Sequence, residues 1–105
     1  MIEISARRNP NRRPTHPVQL LESTVLPALG RSKIEIAKLL GLSRQSLYDI
    51  LSAKRPVTPN TAVRLGKLCG NGPRLWLNMQ SAYDLWEAEN EVDVTQIPTL
   101  QPTAA

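Results

Sequence analysis

The sequence predicts an all-α protein of five helices, and three observations support this fold class. Apolar residues recur at three- and four-residue spacing over most of the chain, as on the buried faces of amphipathic helices. A residue that favours a helix start precedes each of five such runs. Phenylalanine is absent and the aromatic residues are two Trp and two Tyr, so the core must be aliphatic, as suits small packed helices. At 105 residues the chain can build one modest core.

The first two helices have recognisable ends. The first should begin near Pro17, because the missing N–H of proline costs nothing in a first turn, and Gly30 should end it. Pro27 should bend it or end its regular part early. Ser32 opens the second helix, and Glu35 completes a capping box with it. The inner face of the first helix consists of Leu20, Leu21, Val25, Leu26 and Leu29.

Residues 33–52 have the spacing of a helix-turn-helix. Ala37 lies four residues before Gly41 and must be small, because the following helix crosses above it. Gly41 tolerates the left-handed backbone of the tight turn. Ser43 then caps the third helix. The two helices are held together by Leu40, Leu42, Leu47 and Ile50. The outer face of the third helix is therefore free to bind another molecule.

That outer face and the residues after it suit duplex DNA. Arg44 can pair bidentately with guanine and Gln45 with adenine. Asp49 would be repelled by phosphates unless it accepts from a cytosine amine or orients Arg44. Ser46 and Tyr48 can donate to a phosphate or touch a thymine methyl group. We predict these DNA-binding residues: Ser43, Arg44, Gln45, Ser46, Tyr48, Asp49, Lys54 and Arg55, with Ser43, Ser46, Lys54 and Arg55 holding phosphates.

The fourth and fifth helices complete the domain. Thr58 caps the fourth, with Pro59 at its first position, and Gly70 ends it. The fifth runs over residues 73–88 and carries apolar residues on two adjacent stripes. One stripe holds Trp76, Met79, Tyr83 and Trp86, and the other holds Leu75, Ala82 and Leu85. We favour a dimer interface formed by Trp76, Met79, Tyr83 and Trp86; the alternative is a deeply buried closing helix.

Charge divides the chain into two parts. All 13 Lys and Arg lie in residues 1–74 with four acids, whereas residues 75–105 hold five acids and no Lys or Arg. Residues 1–15 form a basic arm that could follow phosphates, dock on a protein or remain a solvated tail. Residues 89–105 form an acidic, Pro- and Thr-rich tail, for which we expect disorder, although Val92 and Val94 could add a strand to a partner's sheet.

Other function classes find little support. Cys69 and His16 are the sole residues of their kinds, so an internal disulfide and a Cys-based metal site are excluded. We expect a capping or packing role for His16. We expect no cofactor and no catalytic site, because phosphate loops and nucleophile motifs are absent. No apolar stretch approaches membrane length, so we expect a cytoplasmic, nucleoid-associated protein without a membrane partner.

Longer segments of the sequence resemble one family. The run from His16 to Trp86 is similar to the HigA (VapI-like) antitoxins, a branch of the Cro/CI-type (XRE, lambda-repressor-like) helix-turn-helix regulators. The matching segments are EIAKLLGLSRQSLYDIL at 35–51, TPNTAVRLGKL at 58–68 and WLNMQSAYDLW at 76–86. The last two are the more specific ones. Pro56 departs from the family, which more often has a Gly or polar residue there.

The resemblance implies a homodimeric antitoxin of a type II toxin–antitoxin system. Such a protein neutralises a small basic HigB-type toxin, a RelE-like mRNA endonuclease, and represses its own operon by binding palindromic half-sites in double-stranded DNA. On this basis residues 16–72 form the DNA-binding domain, with its helix-turn-helix core at 33–52, and residues 73–88 form the dimerisation helix. Two alternatives are an orphan regulator without a toxin and a toxin-binding protein with weak DNA binding.

Overall fold

The computed structural model describes residues 12–102, which form five helices and no strand. The all-α, five-helix prediction is therefore confirmed. Helix α1 covers residues 17–29 in three parts, Pro17–Leu20, a π-helical turn Leu21–Val25, and Leu26–Leu29; it is followed by α2 (Lys33–Leu40), α3 (Arg44–Leu51), α4 (Pro59–Cys69) and α5 (Pro73–Glu91). Residues 1–11 of the predicted basic arm (1–15) and residues 103–105 of the predicted tail (89–105) lie outside the described residues.

The helix starts follow the predicted caps. The Oγ of Ser32 accepts from the N–H of Glu35, whose carboxylate accepts from the N–H of Ser32, so the capping box is present. Thr58 caps α4 in the same way as Ser43 caps α3. His16 caps α1, because its Nδ1 accepts from the N–H of Val18 at 3.1 Å. Hydrogen bonds between residues two or three positions apart therefore determine where these helices begin.

Pro27 changes the geometry of α1 without ending it. Proline has no N–H to donate to the carbonyl four residues earlier. The helix widens into the π-helical turn just before it, where the N–H of Leu26 reaches the carbonyl of Leu21. The helix then continues to Gly30, which adopts a left-handed conformation with φ of 64°. The predicted bend at Pro27 is thus a wider turn that keeps Leu21 and Leu26 on the buried side.

All five helices contribute to one core, in which α3 packs on α2 and α4 packs on α5. Its members are aliphatic, apart from one tryptophan: Leu21, Leu26, Ile36, Ala37, Leu40, Leu47, Ile50, Leu51, Val57, Ala62, Leu65 and Trp76. Gly66 in α4 lies directly against the backbone of Gly72 and Pro73, where a Cβ atom would collide. This close approach sets the distance between α4 and the start of α5.

Helix α5 is longer than predicted. It continues to Glu91 instead of ending at Ala88, and the side-chain amide of Asn90 donates to the carbonyl of Trp86 at 2.7 Å. The backbone becomes extended at Val92. Among residues 12–102, none of the helices combines the length and the apolar character needed to span a membrane.

Candidate nucleic-acid interface

Helix α3 divides into a buried side and an exposed side. Leu47, Ile50 and Leu51 are buried, whereas Arg44 and Gln45 are exposed in the first turn. This arrangement follows from the turn before the helix, where Gly41 adopts a left-handed conformation with φ of 73° and Ala37 is fully buried beneath α3. The two residues predicted to contact bases therefore face solvent.

Ser43 and Ser46 hold the start of α3. The Oγ of Ser43 accepts from the N–H of Ser46 at 3.0 Å and lies 2.9 Å from the Oγ of Ser46, to which it donates. Both hydroxyl groups are thus engaged in the cap, although Ser43 is exposed. The N-terminal amides of α3 present the positive end of the helix dipole at the same place, which favours a phosphate nearby.

Asp49 orients Gln45 and not Arg44, the residue that the sequence analysis named as its partner. The Nε2 of Gln45 donates to Oδ1 of Asp49 at 2.8 Å, and the Nε of Arg55 lies 3.7 Å from Oδ2. The second N–H and the carbonyl oxygen of Gln45 remain available, which is the pair of groups that binds adenine. Asp49 thus holds Gln45, which is predicted to contact a base, and lies beside Arg55, which is predicted to contact a phosphate.

Tyr48 lies between two cations that belong to different helices. The guanidinium carbon of Arg44 is 5.5 Å from the centre of the Tyr48 ring, and the Nζ of Lys33 is 6.0 Å from it. These distances fit weak cation–π attraction. Lys33 was not among the predicted site residues, because only the folded structure brings the start of α2 next to α3.

The loop after α3 returns the chain toward that helix. Ala53 adopts a left-handed conformation with φ of 62°, and the N–H groups of Lys54 and Arg55 donate to the carbonyl of Asp49 at 2.8 and 3.2 Å. Both side chains are exposed beside the last turn of α3. Lys54 and Arg55 are therefore exposed to solvent at the end of α3, and their contacts with phosphates stay a prediction.

Arg64 of α4 braces the turn between α2 and α3. Its Nη1 donates to the carbonyl of Leu40 at 2.8 Å and lies 3.4 Å from the carbonyl of Gly41, while its Nε donates to Asn60 at 2.7 Å. These bonds satisfy carbonyls that the end of α2 leaves without helical partners. No local pattern predicts this contact, because Arg64 lies 24 positions after Leu40 in the chain.

Trp76 requires a correction to the predicted dimer interface. Its side chain is 0% exposed in the single chain and its Nε1 donates to Asn71 at 3.0 Å, so it closes the core of its own domain. The other three predicted residues, Met79, Tyr83 and Trp86, are half-buried. Gln80 is also buried, where its Oε1 accepts from the N–H of Val57 and its Nε2 donates to Asp84.

The outer side of α5 carries two exposed leucines and one polar atom without a hydrogen bond. Leu85 is 59% exposed and Leu75 is 41% exposed. The Nε1 of Trp86 is buried without a hydrogen-bond partner among the described residues. The rings of Tyr83 and His16 meet edge to face, with their centres 4.7 Å apart. Burial lowers the pKa of His16, and the negative charges of Asp84 and Glu87 oppose this effect.

The described residues offer no candidate metal site, because they include no cluster of His, Cys, Asp and Glu that could hold a metal ion. Burial raises the pKa of the Cys69 thiol.

The chain is similar in sequence and fold to known helix-turn-helix proteins. The helix-turn-helix family HTH_3 matches residues 26–77. Virulence-associated protein I of Dichelobacter nodosus is 38% identical over 72% of this chain and 70% of its own length. Antitoxin HigA-1 of Vibrio cholerae is 30% identical over 79% of this chain and 78% of its own. Antitoxin GraA, whose structure is known in complex with its operator, is 30% identical in sequence to this chain. The superposition covers 94% of this chain and 99% of that chain and has a TM-score of 0.75.

Proposed function

Because the chain belongs to the helix-turn-helix family that includes the HigA antitoxins and VapI-like proteins, we propose that it is the antitoxin of a type II toxin–antitoxin system. Its fold is of the Cro/CI type, and the family consists of DNA-binding regulators and not of enzymes. In the proposal, this protein binds its own operator, represses its operon and neutralises a small basic RelE-like mRNA endonuclease of the HigB type.

The DNA-binding part of the proposal rests on the exposed side of α3. Arg44 and Gln45 project from its first turn, and Asp49 holds Gln45 in place at 2.8 Å. Lys54 and Arg55 lie at the other end of the same surface and carry the charge that phosphates require. We assign base contacts to Arg44 and Gln45, phosphate contacts to Ser43, Ser46, Lys54 and Arg55, and a phosphate or thymine contact to Tyr48.

We propose that the protein binds palindromic half-sites as a homodimer through α5. Met79, Tyr83 and Trp86 form the interface in this proposal, and Leu85 extends it, whereas Trp76 is excluded because it is buried in the core. The exposure of Leu85 supports it, since a second copy would cover this large apolar side chain. Two exposed α3 helices held by one interface could then enter successive major grooves.

DNA recognition can be tested with two substitutions and two duplexes. Arg44→Ala should cost about 1–3 kcal/mol of discrimination per half-site between the gene's own promoter and random DNA. Lys54→Ala should weaken binding to both duplexes alike and lower the salt slope by about one per subunit. Fluorescence anisotropy at several salt concentrations measures both quantities. Equal losses on both duplexes for both variants would remove the assignment of base contacts to Arg44.

The toxin part needs a separate experiment. The product of a short basic reading frame beside this gene should arrest growth when expressed alone and should copurify with this protein when both are expressed. If no such frame adjoins the gene, the orphan-regulator alternative replaces the proposal. If the complex forms but the promoter fragment is not shifted, with or without the toxin, this protein is a toxin-binding protein whose DNA binding is weak.

A further inference from the structure

An apolar groove lies between α2 and α4, on residues that take no part in the DNA-binding surface. It encloses about 480 Å³ and is lined by Leu39, Leu40, Val63, Arg64, Lys67 and Leu68. Leu39 is 57% exposed and Val63 is 59% exposed. Leu39 and Val63 are therefore large apolar side chains that the described part of the chain leaves open to solvent, which marks a binding surface.

The tail after α5 carries apolar side chains that do not pack against the rest of the described chain. Its apolar side chains, Val92, Val94, Ile97 and Leu100, are each more than half exposed. Its backbone nevertheless has a defined shape, because Oδ1 of Asp93 accepts from the N–H and the hydroxyl of Thr95 at 3.0 and 2.8 Å. The N–H of Ile97 also donates to the carbonyl of Val94 at 3.0 Å. The tail thus has its own turn and leaves its apolar side chains without a core.

The charges of the groove and the tail are complementary. Arg64 and Lys67 line the groove, and neither forms an ion pair within residues 12–102. The tail region supplies Glu89, Glu91 and Asp93, while residues 75–105 contain no Lys or Arg. The arm at residues 1–15 carries four Arg, and a basic toxin has the same sign, so both are poorer occupants of a groove with cations at its edge.

We propose that the groove between α2 and α4 of one copy binds the acidic, apolar segment 89–100 of a second copy. The occupant is a second copy because each chain carries both halves of the contact, while its own segment remains exposed in the structure. Val92, Val94 and Ile97 would enter the groove, and Lys67 would meet Glu91 or Asp93. This contact is separate from the α5 interface and gives the tail a role in assembly.

The contact can be tested by mixing two single-cysteine variants of the full chain in a Cys69→Ala background. One carries Leu39→Cys and an added tag that changes its mass, and the other carries Val94→Cys. Mild oxidation should give a mixed disulfide at least about tenfold faster than in a control mixture with Ile34→Cys, which is exposed on α2 outside the groove. Equal rates in the two mixtures would overturn the contact at this register.

A charge reversal tests the same contact without depending on its register. Lys67→Glu should weaken self-association at least about fivefold in sedimentation equilibrium, and Glu91→Lys in the same chain should restore part of the loss. Lys54→Glu makes the same charge change outside the groove and should leave self-association unchanged. Equal effects of the two reversals, together with equal cross-linking rates, would refute the proposal. A chain that carries both Leu39→Cys and Val94→Cys in the Cys69→Ala background tests binding within one chain: a disulfide formed only within single chains would show that the tail binds in cis and would also refute the proposal. Promoter binding of each variant is measured in parallel, so a failure of the DNA-binding proposal is detected separately.

Discussion

Helices α3 and α5 differ in how their apolar residues are arranged. In α3 the buried residues lie on one side, and the polar residues Arg44 and Gln45 lie on the other. In α5 apolar residues occupy both sides, so that Trp76 is buried while Leu85 is 59% exposed, and the polar Gln80 is buried. A helix with one apolar side reveals its exposed face in the sequence, whereas a helix with two does not, because its inner side depends on the helices packed against it.

Two tryptophans of α5 provide the strongest test of this comparison. Trp76→Ala should lower the free energy of unfolding by about 3–5 kcal/mol, because it leaves a large cavity in the core of each chain. Urea denaturation followed by circular dichroism measures this loss, which should not depend on protein concentration. Trp86→Ala is the matched control: its smaller loss should depend on concentration, because Trp86 is assigned to the interface. If both losses were equal and independent of concentration, α5 would have no division between core and interface.

The same contrast explains what the sequence could predict. The caps at Ser32, Ser43 and Thr58 and the turn at Gly41 depend on residues within four positions of one another, so the starts of these helices and the exposed face of α3 followed from local patterns. Long-range contacts did not follow. The bond from Arg64 to Leu40 and the bond from Val57 to the side-chain amide of Gln80 join residues that are 24 and 23 positions apart. Such bonds form only after the helices have packed, so no local pattern predicts them.

Asp49 allows a test of how α3 presents the residues to which we assign base contacts. Asp49→Ala removes the acceptor that holds Gln45, so the ratio of promoter binding to random-DNA binding should fall severalfold. Asp49→Asn keeps an oxygen acceptor at the same place and removes the charge, so that ratio should be largely kept. Both variants should bind random DNA more tightly than the parent, because a carboxylate near phosphates is gone. Fluorescence anisotropy titrations on the two duplexes measure this ratio. An unchanged ratio for Asp49→Ala would show that recognition by Gln45 does not need the hydrogen bond to Asp49.

His16 gives the smallest expected effect and links the start of α1 to the outer side of α5. Its neutral ring accepts from the N–H of Val18 and contacts Tyr83, and desolvation lowers its pKa, although Asp84 and Glu87 act in the opposite direction. Because the unfolded chain binds the proton more readily, this contribution to stability is complete above the unfolded pKa of about 6.5 and is lost as the pH falls through the lower folded pKa. Urea denaturation between about pH 8 and about pH 5 should show the loss, which stays below about 1 kcal/mol for a partly solvated side chain. His16→Asn keeps a capping side chain that does not titrate in this range, so the difference between the two proteins should shrink as the pH falls. A difference that stays constant over the whole range would mean that the cap at His16 does not respond to protonation.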